Sequence, residues 1–360
     1  MYKLVFTLKQ YTPIIHFQPD QEGATLRATE VKPKLDRFII EKLEKSGVNV
    51  ESRWFNNVQK RSLNYAMHIT SDNIEVESFP KIYPCFFGNL GEEGNENSSN
   101  KKLLFSKRIT INITTKIFSL HNAIQKYLPQ LFIIANFGTR GSKGFGSLTE
   151  VNTRLNFFEE TLKKEYSDVY RINWRTSSNI DIRQEHRFLF KKIEDEYKVL
   201  KSGTQKSTSK LKTYFNNRHD IEWEKPKLQS IIESITSTRL KVDRINNNYQ
   251  YVRALLGLAE NFEFPKQEIK ISVKDGDVKN GIERLSSPIL FKVFENFIYL
   301  MPNHHVDLNL ISGHSFNFSF KKEKTNEVLN TQSLKVPDIN FQVAEFLKES
   351  LSYSNWTKLK

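Results

Sequence analysis

The apolar residues of the first 150 positions switch period repeatedly, and the order of those switches is what most narrows the fold. Leu4, Phe6 and Leu8 alternate with Lys3, Thr7 and Lys9, the two-residue period of a half-buried strand. From Thr29 to Leu43 the spacing becomes helical, with Val31, Leu35, Phe38, Ile39 and Leu43 on one side. Thr29 suits the N-cap, and Pro33 suits a first turn. Leu63, Tyr65, Met67 and Ile69 alternate again, and so do Ile109, Ile111 and Ile113, with the polar loop Gly91–Asn100 between them. A helix follows with Leu120, Ile124, Leu128, Leu131 and Ala135 on one face, and Pro129 is expected to kink or divide it. Ser147 to Val151 can form a fourth strand. The order is β-α-β-β-α-β.

That order predicts a ferredoxin-like unit of the kind RNA-recognition modules use, over residues 1–155. Residues 156–245 differ: they are highly charged, with helical stretches at Phe158–Tyr166, Glu185–Leu200 and Lys227–Ile235. Within them the basic run 201–212 reads as a solvated linker or a mobile arm. Strand patterns return over 246–360. Ile269, Ile271 and Val273 alternate, as do Phe316, Phe318 and Phe320. Pro288–Phe294 and Phe297–Met301 suit a hairpin turning at Glu295-Asn296, and Asp338 suits the cap of a last helix. The expected fold class is α+β: two ferredoxin-like domains with a largely helical, charged insertion between them.

Between the second helix and the fourth strand stands Phe137-Gly138-Thr139-Arg140-Gly141-Ser142-Lys143-Gly144-Phe145-Gly146-Ser147-Leu148. Glycine admits positive φ and close backbone approach, and Arg140 and Lys143 suit phosphate oxygens. Two nucleotide loops fit the spacing poorly, and a plain glycine-rich turn with incidental charge is the bland alternative. The P-loop needs a hydroxyl after its lysine, where Gly144 stands, and the dinucleotide fingerprint needs a third glycine where Thr149 stands. What remains is a loop expected to press main-chain N–H groups and two cations against a polyanion. The formal net charge of +13 points to an anionic partner, nucleic acid or an anionic membrane. A single cysteine, Cys85, excludes an intrachain disulfide and a cysteine-based zinc site. No run of about 18 apolar residues is present, and the N-terminus lacks the pattern of a signal peptide. A cytoplasmic location is expected.

The glycine loop, the segment Tyr11-Thr12-Pro13-Ile14-Ile15, the basic first helix Ala28–Phe38, and Tyr251–Leu258 and Arg284–Ile289 resemble the RAMP superfamily of CRISPR proteins. Among its members the chain is most similar to the capping subunit of type III-B (Cmr) effectors, which fuses two RNA-recognition-like domains. The resemblance implies a non-catalytic, RNA-binding subunit of an antiviral ribonucleoprotein. It would contact the distal guide RNA or the guide–target duplex and pack on other RAMP subunits. RNA contacts are expected at Arg27, Lys32, Lys34 and Arg37, and at Thr139, Arg140, Gly141, Ser142, Lys143, Gly144, Phe145 and Gly146. Phe145 reads either as a stacking platform or, preferentially, as an anchor. Pro33 and Asp36 depart from the family's pattern in that helix.

The competing chemistry is metal-independent RNA cleavage, for which His16 is the candidate acid or base. Asp20, in the loop after it, resembles the aspartate that backbone subunits of such complexes use. His304, His305, Asp307 and His314 cluster in sequence without a metal-ligand spacing. No catalytic residue, metal or cofactor is expected.

Overall fold

The computed structural model describes residues 1–15, 25–59, 61–78, 102–175, 182–237, 248–258, 261–264, 268–276, 281–282, 285–322 and 325–360. The first sheet contains β1 (Tyr2–Gln10), β2 (Ile14–Ile15), β3 (Ala66–Ser78), β4 (Lys102–Thr115) and β5 (Leu148–Glu150). All its pairings are antiparallel. β1 lies between β4 and β5, with Leu4 opposite Ile113 and Leu8 opposite Glu150; β3 lies outside β4, and β2 pairs with the start of β4. Helices α1 (Ala28–Lys45) and α2 (Phe118–Ile134) cover one face. Leu4, Phe6, Leu8, Ile109, Ile111 and Ile113 bury against them, as the alternation requires.

Three local expectations change. α1 has Arg27 at its N-cap, two residues earlier than Thr29 implied, so Pro33 falls in its second turn. α2 runs unbroken through Pro129, because burial of Leu128, Leu131, Phe132 and Ile133 outweighs one missing helical hydrogen bond. The run 201–212 is neither linker nor arm among the described residues. It is a tight turn between two helices, in which Gly203 has φ +76° and the Ser209 hydroxyl caps the next helix through the Lys212 N–H at 3.1 Å.

The middle of the chain supplies α3 (Leu155–Glu165), β6 (Tyr170–Asn173), α4 (Ile182–Lys201), α5 (Lys210–His219) and α6 (Lys225–Thr236). The remainder supplies β7 (Asn261–Phe264), β8 (Ile269–Asp275), β9 (Ile289–Phe294), β10 (Phe297–Pro302), β11 (Ser315–Lys322), β12 (Val328–Lys335), α7 (Val343–Leu351) and β13 (Thr357–Lys358). β9 and β10 form the expected hairpin, with Phe294 opposite Phe297 and Glu295 at φ +50°. α7 starts at Val343 rather than beside Asp338, and its N-cap Gln342 makes no side-chain capping bond.

The second sheet runs β9-β10-β6-β13, antiparallel throughout. Its four strands, taken along the chain as β6, β9, β10 and β13, have the connectivity of β1, β3, β4 and β5 in the first sheet. In both, the first strand lies between the third and the fourth. Strand pairing therefore crosses the boundary expected at 245/246, since β6 lies in the charged middle segment and pairs with β10 and β13. Residues 246–360 alone hold only three of this sheet's strands. A third sheet, β7-β8-β11-β12, is inserted as antiparallel pairs.

The second sheet is buried on both faces, which explains the unalternating apolar runs of β9 and β10. Leu290, Phe294, Tyr299 and Met301 face the core of the first sheet, its helices and α3. Ile289, Phe291, Val293, Ile298 and Leu300 face a second core with α4, α5 and α7.

Candidate nucleic-acid interface

The glycine loop leaves α2 at Ala135 and enters β5 at Leu148, and it is wedged between the two halves of the molecule. On one side it is tied to the segment around β2. The Thr139 N–H donates to the Ile15 carbonyl at 2.9 Å and the Gly146 N–H to the Pro13 carbonyl at 2.9 Å. The Thr12 hydroxyl donates to the Gly144 carbonyl at 2.7 Å and accepts from the Ser147 N–H at 2.8 Å. On the other side it is tied to β9. The Phe291 N–H donates to the Ser142 carbonyl at 3.0 Å, the Ser147 hydroxyl to the Val293 carbonyl at 2.6 Å, and the Asn136 side chain to the Phe291 carbonyl at 2.8 Å.

Glycine is required here for backbone reasons. Gly138, Gly144 and Gly146 have φ of +80°, +86° and +66°, and a Cβ on Gly146 would overlap the Phe137 carbonyl oxygen.

The expectation that the loop's amides face a polyanion is corrected. Those of Phe137, Gly138, Thr139, Lys143, Gly144, Gly146 and Ser147 all donate within the protein. Lys143 also points inward: the residue is only 8% exposed, and its Nζ lies 2.9 Å from the centre of the Tyr197 ring. Burial first, then the charges of Lys201 and Arg140, push its ammonium well below the usual lysine range. Phe145 is fully buried and stacks on Phe190 of α4 at 3.9 Å between centroids. Such burial contributes about 2 kcal/mol, which makes Phe145 the anchor and not a platform for a base. Lys143, Gly144, Phe145 and Gly146 are therefore packing residues in this conformation. The tip, Thr139, Arg140, Gly141 and Ser142, stays half-exposed, with Arg140 at φ +58°.

The helix α1 does meet this loop. Glu30 Oε1 accepts from the Gly138 N–H at 2.9 Å and from Lys34 Nζ at 2.8 Å, and Lys34 lies 4.7 Å above the Phe137 ring. Residues 27, 30, 34 and 37 share one helix face by their spacing of three and four. Arg27, Lys34 and Arg37 thus form a stripe on the face that meets the loop at Phe137 and Gly138, with Arg37 exposed. Lys32 sits on another face. It pairs with buried Asp36 at 2.9 Å, donates to the Leu63 carbonyl at 2.8 Å and lies over the Tyr65 ring at 4.1 Å. Its role is to compensate Asp36; burial first, then the Asp36 charge, pushes the Tyr65 hydroxyl far up.

His16 and Asp20 lie outside the described residues. His304 stacks on Tyr166 at 5.5 Å, and burial pushes its imidazole down. Asp307 accepts from the Asn309 N–H at 3.0 Å. Among the described residues, no group of three or more His, Cys, Asp or Glu side chains is placed to hold a metal ion. No described helix is long and apolar enough to cross a membrane.

Two lysines, one of them buried, were not foreseen. Lys292 on β9 is fully buried and donates to the carbonyls of Phe132, Ala135 and Leu148 at 2.7, 2.8 and 3.2 Å. It caps the C-terminal end of α2, where a cation is favoured. The signal was one lysine inside the apolar run Ile289–Phe294. Lys201 donates to the Gly257 carbonyl at 2.6 Å beside Tyr197, whose hydroxyl donates to the Leu256 carbonyl at 2.5 Å. Burial, then Arg253, bring its ammonium down to about 7, against the opposing charge of Glu224.

Models of the Cmr1 N-terminal domain and the Cmr1 C-terminal domain match residues 1–204 and 205–359. Comparison with curated proteins finds no match. Among solved structures, the chain is similar to a crystal structure of Cmr1 from Pyrococcus furiosus in its apo form. Identity is 13% and the TM-score 0.44, over 99% of this chain and 98% of that one. It is also similar to part of a cryo-EM structure of the type III-B Cmr-beta bound to cognate target RNA. There identity is 13% and the TM-score 0.26, over 41% of this chain and 58% of that one.

Proposed function

The chain belongs to the Cmr1 family, and from that premise we propose that it is an RNA-binding subunit, without catalysis, of a type III-B CRISPR effector ribonucleoprotein. The observation that carries the reading is the junction of α1 with the start of the glycine loop. Glu30 and Lys34 hold the two together, so Arg27, Lys34, Arg37 and Arg140 border one surface. Such a surface neutralises phosphates and reads no base identity, which suits a subunit that must accept guides of any sequence. Its partners in this reading are guide RNA, complementary target RNA and neighbouring RAMP subunits.

The shared connectivity of the two sheets supports reading both as ferredoxin-like units. The second then opens at β6, with α4, α5 and α6 in its first crossover rather than in an insertion between domains. The loop, welded to both units by hydrogen bonds, sets the angle between them and presents only its tip.

The test is incubation of the purified chain with labelled guide-repeat RNA, read on native and denaturing gels. Intact RNA carrying a salt-sensitive shift is the expected result. Discrete cleavage products lost in His16→Ala would replace this reading with that of a processing nuclease.

A further inference from the structure

At the end of α2 far from the glycine loop, three rings gather on the surface without a covering element among the described residues. Tyr2, the first residue of β1, lies 5.2 Å from Phe118 and 5.6 Å from His121. Phe118 and His121 stack at 6.1 Å with 12° between their planes. Tyr2 is 41% exposed and Phe118 is 56% exposed, a costly display for two large rings in a molecule that buries most of its phenylalanines. Exposed Lys116 stands between Thr115, the cross-strand partner of Tyr2, and the start of α2. The first turn of α2 carries no acidic side chain. The nearby acid is Glu51, which accepts from the Ser119 hydroxyl at 3.1 Å and is already paired with Arg53. The balance is one cation in excess beside flat apolar faces.

We propose that Tyr2, Phe118 and His121 form a base-stacking platform for single-stranded nucleic acid, with Lys116 taking a neighbouring phosphate. Aromatic faces accept any base and lysines accept any phosphate, so the contact is independent of sequence. An acidic protein surface would satisfy the lysine but leave the ring faces without stacking partners. α2 has 17 residues, so the platform lies about 25 Å from the loop tip. A single strand of about seven stacked nucleotides bridges that distance. The inference rests on the RNA-binding reading given above and adds a second, aromatic contact to it.

The experiment is fluorescence anisotropy on the full chain with two labelled probes: an oligoadenylate of about twelve nucleotides, and an abasic oligomer of equal length that offers phosphates alone. Phe118→Ala is expected to weaken oligoadenylate binding about tenfold and to leave the abasic oligomer unchanged, while Phe118→Tyr restores the affinity. Thermal melts of both variants should match the parent, since the ring is exposed. Unchanged oligoadenylate affinity in Phe118→Ala, alongside weakened binding in Arg140→Ala, overturns the platform and leaves the RNA-binding reading standing. Unchanged affinity with loss of a co-purifying neighbouring subunit reassigns the rings to a protein contact. Failure of the parent chain to bind either probe overturns both readings.

Discussion

Lys292 Nζ lies 2.7 Å from the carbonyl oxygen of Phe132, so a lysine of the second sheet closes the helix that ends at the glycine loop. With the Ala135 and Leu148 carbonyls as its other acceptors, one ammonium holds α2, β5 and β9 together at the joint between the two halves. Burial pushes this ammonium far down from the usual lysine range, and only the helix-end carbonyls compensate it.

Removing that ammonium is expected to loosen the joint. Lys292→Ala leaves three carbonyls unsatisfied and a cavity, and should cost about 3 kcal/mol in urea unfolding. Lys292→Met fills the space without the buried charge and should cost distinctly less. Equal losses in the two variants would show that the carbonyl bonds, not the volume, dominate.

Gly146→Ala tests the loop's backbone. Its positive φ and the Phe137 carbonyl oxygen leave no room for a methyl group. A loss of about 3 kcal/mol is expected, measured as a fall in the urea midpoint. Gly47→Ala is the control: Gly47 shares a positive φ of +71°, but nothing lies within 4 Å of its added Cβ, so its cost should be about 1 kcal/mol.

These two sites show what sequence periodicity carries and what it does not. The β9–β10 hairpin was legible because continuous apolar runs flank Glu295-Asn296. The first sheet was legible because Leu4, Phe6 and Leu8 have one wet and one dry face. β6 was not, because its four residues, Tyr170–Asn173, are too few to show a period. In the proposed reading that one strand opens the second unit. The loop's place in the chain was readable, but the direction of its cations was not. Lys143 and Arg140 have the same charge in the sequence, and only the packing of Tyr197 and Phe291 turns one inward. The turn at 201–212 reads as an arm because its cap, Ser209, is a single hydroxyl within a polar, basic run.

Lys201 gives the protein a defined pH dependence. Its pKa is depressed from 10.5 to about 7 in the folded state, so between those values the unfolded chain binds more protons. Stability then rises with pH over that window and is lost progressively as pH falls toward 7. Lys201→Met should flatten the rise between pH 7.5 and 9 by about 1 kcal/mol per pH unit. Urea unfolding at several pH values, parent against variant, checks this; parallel curves would mean that Lys201 stays protonated when folded.

Lys143 and Arg140 should separate stability from binding. Lys143→Ala empties a buried site against Tyr197 and should lower the melting temperature while leaving the salt dependence of RNA binding intact. Arg140→Ala should do the reverse, because its residue lies at the half-exposed tip.

The measurement that bears most directly on the account is the slope of log K against log salt for guide-repeat RNA, in the parent and in Arg37→Ala with Arg140→Ala. Each lost phosphate contact lowers the slope by about one. The account predicts a slope shallower by about two, intact RNA and an unchanged melting temperature. A slope equal to the parent's would remove α1 and the loop tip from the RNA interface.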